Sequence, residues 1–71
     1  MKKKVFTWVA VWHPTKEQEE KGETSLIVSG PNLELATDDK GALILAARKL
    51  PKDFDNKINY IEQTEILMRP F

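Results

Sequence analysis

The sequence predicts one α+β domain over residues 1–71: a sheet of three or four mostly antiparallel strands with one helix packed on one face, in the order β-β-α-β. Three observations predict it. Val5 to Trp12 is dense in β-branched and aromatic residues, which suit a pleated surface. An alanine- and leucine-rich stretch follows Thr37 and stops at Pro51. A partly alternating run, Tyr60 to Met68, lies near the end.

The first strand is Val5 to Trp12, stopped by Pro14. His13 to Glu23 is a charged excursion. Thr15 is placed to cap one short helical turn, with Glu17 to Glu20 at its electropositive start and Gly22 ending it. The simpler expectation is a long solvated hairpin loop. Thr24 to Val28 and Leu33 to Ala36 read as extended, with Gly30-Pro31-Asn32 between them as a turn or bulge. One kinked strand is preferred over two short ones, because each piece is short for a hairpin arm.

Thr37 or Asp38 caps the helix, Asp38 to Leu50. Asp38 and Asp39 suit its positive end, and Arg48 and Lys49 its negative end. Pro51 ends it by pushing the preceding residue out of the α region. Ala42, Leu43, Ala46, Ala47 and Leu50 form an apolar stripe, widened by Ile44 and Leu45. Pro51 to Asn59 is a loop or helical turn with Phe54 against the core, and Tyr60 to Met68 is the last strand.

Composition narrows the function classes. A chain of 71 residues buries only about 60% of its unfolded surface. With no cysteine and a single histidine, it has neither disulfides nor the donors of a zinc site. Economical packing or self-association must supply stability. Eleven basic and eleven acidic side chains cancel, which argues against binding by phosphate neutralisation. Lys2, Lys3 and Lys4 before Val5 to Trp12 outline the start of a secretory leader. The apolar run is short, carries two bulky tryptophans, and precedes His13-Pro14 rather than a small-residue cleavage site. Nothing approaches the roughly 20 apolar residues of a membrane helix. The expectation is a soluble, cytoplasmic chain.

Residues with chemical potential are sparse. His13 lies at a strand end beside glutamates that read as solvated, without an evident nucleophile. Glu17, Glu19, Glu20 and Glu23 are interleaved with Lys16 and Lys21, the pattern of a solvated face rather than a cation loop. Ser25 and Ser29 lack the context of a nucleophile elbow. Gly30-Pro31 lacks the glycine repeat and lysine of a phosphate loop. The expectation is a non-enzymatic protein without cofactor or metal.

The first strand carries more. Phe6, Trp8, Ala10 and Trp12 share one face; Val5, Thr7, Val9 and Val11 share the other. One helix covers one face of a small sheet. Leaving the aromatics uncovered would expose on the order of 500 Å², as much as a monomer normally tolerates. Either the aromatics form the core and a valine face is open, or the valines pack the helix and the aromatics face a partner. The second face is then covered by the chain's own loops, by another copy, or by a different partner. Strand addition at a sheet edge is a further mode.

From Leu33 to Phe71 the chain resembles a group of small bacteriophage-encoded proteins. The residues that carry this are Glu34-Leu35-Ala36-Thr37-Asp38-Asp39 running into Ala42, then Leu45-Ala46, Leu50-Pro51, and Glu65-Ile66-Leu67-Met68-Arg69-Pro70-Phe71. The layout also resembles the small host RNA-polymerase inhibitor of T7-like phages, a β-β-α-β protein whose closing strand ends in Arg-Pro. Lys3-Lys4 before Phe6, Ala36 to Ala46, and Arg69-Pro70 match that layout. That family carries a second arginine two positions before the matching one, where this chain has Leu67, so only Arg69 carries over. The charged loop after Trp12 is also longer here.

The resemblance implies a phage-type accessory protein that binds and inhibits a host protein, through an aromatic sheet face or a sheet edge. Phe6, Trp8 and Trp12 are the expected partner-binding anchors, since aromatics concentrate in hot spots, and Arg69 supplies a charge-assisted contact. Two other expectations stand beside it. One is a virion component or structural homo-oligomer. The other is an oligomeric sponge for a small signalling nucleotide, with Lys4, Arg48 or Arg69 and a tryptophan converging on a pocket.

Overall fold

Apolar on both faces, the first strand takes the centre of the sheet. The computed structural model describes residues 2–71. Its elements are β1 (Lys4–Trp12), α1 (Lys16–Glu20), β2 (Leu26–Ala36), α2 (Asp39–Arg48), a 3-10 turn (Tyr60–Gln63) and β3 (Thr64–Pro70). The sheet has three strands in the order β2-β1-β3, and both pairings are antiparallel. The α+β layout is the one the sequence predicts.

Phe6, Trp8, Ala10 and Trp12 of β1 build the core. Phe6 and Ala36 pack on Ala42, and Trp8 and Ala10 pack on Ala46. Leu45, Leu50, Val28, Ile66 and Met68 close around them. Alanine at both helix contacts lets α2 approach an aromatic strand. The helix begins at an Asp38 cap, whose Oδ1 accepts a 2.7 Å hydrogen bond from the Gly41 N–H. It ends at Arg48 rather than Leu50, with Lys49 as its C-cap. Leu43 and Ala47, expected in the apolar stripe, and Ile44, expected to widen it, face outward and are exposed.

Residues 26–36 form one kinked strand, as preferred. The kink lies at Gly30, whose φ of +116° is closed to ordinary side chains, and Pro31 follows through a cis peptide. Pairing slips where this segment passes Ala10 of β1. The charged excursion differs from the solvated loop that was expected. Thr15 and Gln18 form a reciprocal capping box, and Lys16–Glu20 is helical.

The last strand begins later than its sequence suggests. Tyr60–Gln63 is a 3-10 turn, and Thr64–Pro70 is the strand. The Tyr60 hydroxyl donates to the Pro51 carbonyl, and its ring lies 5.7 Å from that of Phe54. This ties the 51–63 segment over Trp12, which lies outside both clusters that the helix packs. Helix and segment therefore share one face of the sheet. The described chain measures 48 × 20 × 16 Å with a radius of gyration of 13.7 Å. A compact chain of this length would have about 11 Å. It is an elongated slab of two layers.

Candidate functional site

The aromatic anchors expected from the sequence lie in the core. Phe6, Trp8 and Trp12 are 1%, 2% and 0% exposed. Of the two arrangements the alternation allowed, the structure adopts the one with aromatics inside and valines outside. The physical reason is coverage. Helix α2 with the 51–63 segment spans the whole aromatic face, and α2 alone would have left Trp12 bare. None of the three offers a ring to a partner or a nucleotide in this fold. The loops expected to fold back over the second face run over the aromatic one or its end instead.

The open face is built by register. In β1 it carries Val5, Thr7, Val9 and Val11. Leu35 stands beside Val5, Leu33 beside Thr7 and Ile27 beside Val11. On the other side Arg69 pairs with Thr7, Leu67 with Val9 and Glu65 with Val11. Ile27, Leu33, Leu35 and Leu67 are 65%, 59%, 56% and 47% exposed. Phe71, whose N–H bonds to the Val5 carbonyl, extends the apolar edge. A shallow depression of about 420 Å³ lies at the centre, between Pro31, Val9, Leu67 and Arg69. Arg69, the fourth expected partner-binding residue, is exposed on this rim, and among the described residues no carboxylate lies within 4.0 Å of it.

Leu33, Glu34 and Leu35 are inverted relative to a strand that folds for its own sake. The two leucines face water and the glutamate is buried, 6% exposed. Lys49 neutralises the Glu34 carboxylate at 3.0 Å. A slip of one residue would exchange the faces. Phe6 opposite Glu34 and Ala36 in the core hold the register that leaves the leucines out. Neither leucine was among the partner-binding residues expected from the sequence. Their exposure follows from Ala36 packing on Ala42.

At the far end of the same face, His13 bridges two strands. Its Nδ1 lies 3.1 Å from Ser25 Oγ and its Nε2 lies 3.0 Å from Glu65 Oε1. Serine, imidazole and carboxylate in line have the composition of an acyl-transfer relay. Here His13 and Glu65 are both about half exposed. Water screens such a line, and it lacks the dry setting in which fixed dipoles stabilise a developing charge. Its evident effect is structural. With the Gln63 amide, which donates to the His13 carbonyl and to Gln18 Oε1, it ties α1 to the sheet end. The sequence showed no nucleophile near His13, and the fold brings the Ser25 hydroxyl beside it.

Among the described residues there is no helix long and apolar enough to cross a membrane, and no group of three His, Asp or Glu that could hold a metal ion. No family model, curated protein or solved structure matches the chain.

Proposed function

We propose that this chain is a non-enzymatic binding protein that docks another protein on the open face of its sheet. The inversion at Leu33, Glu34 and Leu35 carries this reading. Burying a glutamate while exposing two leucines opposes the hydrophobic effect within one chain. It becomes favourable when a second surface covers the leucines. Leu33, Leu35, Leu67 and Val5 replace the buried aromatics as anchors, and Arg69 remains as a rim contact. The phage-type layout supports a host protein as the docked partner and inhibition as the outcome, in the cytoplasm of the infected cell.

The test compares capture from host lysate by the wild-type chain, by Leu33→Lys/Leu67→Lys, and by Leu43→Lys on the outer face of α2. A specific partner is expected with the wild type and with Leu43→Lys. It should be lost with the open-face variant, whose circular dichroism stays native. Equal capture by all three would overturn the reading. A structural homo-oligomer is the second reading, favoured by the placement of Glu65 and Arg69 on this face.

A further inference from the structure

We infer that, in the absence of another protein, the open face is covered by a second copy of this chain, the two sheets packing face to face about a two-fold axis at the level of Val9 and Leu67. This rests on the open face being a docking surface, and it names the occupant.

The observation is the arrangement of charge on β3. Arg69, Leu67 and Glu65 project from the same side at the levels of Thr7, Val9 and Val11. The two charged residues therefore lie about 7 Å to either side of Leu67. Consider a two-fold axis between the sheets, running across the strands at the Leu67 level. It reverses the strand and sets Arg69 opposite Glu65 of the partner subunit, twice by symmetry. The same rotation sets Leu33, at the Thr7 level, opposite Ile27 of the partner subunit, at the Val11 level. At the Thr7 and Val11 levels charges meet opposite charges and leucine meets isoleucine, while Val5 and Leu35 lie at the end of the face, opposite the polar His13 end. An axis along the strands instead lays β3 on β2 and buries both charges against leucine and isoleucine, which is unfavourable. The across-strand axis also gives the aligned packing of β-sandwiches, about 30° between strands and about 10 Å between sheets.

The area fits a reversible dimer. Three strands about 4.8 Å apart, each offering about four side chains, present on the order of 600 Å² per copy once their relief is counted. Twice that reaches the lower end of stable interfaces. A host protein using the same face then competes with the second copy.

The experiment measures mass in solution by sedimentation over a wide concentration range, with full-length protein. The wild type is expected to form dimers. Arg69→Glu and Glu65→Arg should each weaken the dimer by at least about 10-fold, because each sets like charges opposite one another. An equimolar mixture of the two variants should restore dimers, and so should the double exchange in one chain. Within one chain the two residues are about 13 Å apart, too far to compensate each other. A monomeric wild type, an oligomer larger than two, single variants that dimerise normally, or failure of the mixture to rescue would each overturn the dimer. Dye binding separates this from the underlying reading. A monomeric wild type that binds an apolar dye, and loses it in Leu33→Lys/Leu67→Lys, removes the dimer but keeps the docking face. Absence of both dimer and dye binding removes both.

Discussion

Lys57 Nζ lies 4.2 Å from the ring centroid of Trp12 and 2.9 Å from the Glu23 carboxylate. A mostly buried lysine thus closes the end of the core that α2 does not reach, and joins the 51–63 segment to the loop after α1. The alkyl stem supplies cover and the ammonium supplies a cation–π contact. Lys57→Ala should cost about 1–2 kcal/mol. In a Trp8→Phe background, acrylamide should then quench Trp12 far more readily than in the parent. Unchanged quenching would show that the segment covers Trp12 without Lys57.

Gly30 is fixed by two constraints at once. Its φ is +116°, and a Cβ there would sit 3.0 Å from both the Trp8 carbonyl oxygen and Val9 Cα. These are backbone atoms of the central strand and cannot turn aside. Gly30→Ala is expected to cost about 2–3 kcal/mol, whereas Gly22→Ala, with open space around it, meets only the strain of its own φ of +93°. Chemical denaturation of the two variants gives the comparison; equal losses would place the whole effect in backbone strain.

Glu34 and Lys49 form an unequal pair, the carboxylate buried and the ammonium largely in water. Removing the lysine leaves a buried charge without its partner, so Lys49→Met should destabilise by about 1–3 kcal/mol. The double variant Glu34→Leu/Lys49→Met should regain most of that loss, because the buried charge is gone. Failure to regain it would mean that Glu34 does more for the register than hold a charge.

Tyr60 provides a pH test, being the only tyrosine in the chain. Burial pushes its phenol above the usual value of 10.0, and the nearby Asp53 carboxylate adds to the shift. The sign follows from linkage. Below about pH 10 the phenol is protonated in both states and its contribution is complete. As pH rises further the unfolded chain releases its proton first, so stability falls through the folded value. Alkaline melts should show this decline, and Tyr60→Phe should flatten it. An ultraviolet titration in step with free tyrosine would contradict the burial.

Much of this fold can be read from residues near one another in the chain. Val5–Trp12 announces its strand, Asp38 and Pro51 bracket a helix, and Gly30-Pro31 marks the kink. The Thr15 cap was also legible, though its reciprocal partner Gln18 was not, and the surrounding glutamates argued for a solvated loop. Tyr60-Ile61 looks extended because its helical turn depends on Tyr60 reaching back to Pro51. The site was less legible. Alternation sorted β1 into two faces but could not say which would be covered, because that depends on how far the 51–63 segment extends the helix layer. Lys57 over Trp12 settles it, and a lysine in a charged loop gives no hint of that role. Leu33 and Leu35 were hidden for a similar reason, since their exposure follows from Ala36 docking on Ala42.

The order of the strands has a consequence during synthesis. β1 is made first yet lies in the middle, and its pairing with β3 joins Phe6 to Pro70. Until the 51–63 segment has been translated Trp12 lacks its cover, and until β3 follows one edge of the most apolar strand stays unpaired. The nascent chain therefore offers hydrophobic backbone to whatever it meets, and its yield in the cell depends on translation outpacing aggregation or on a chaperone holding β1 meanwhile.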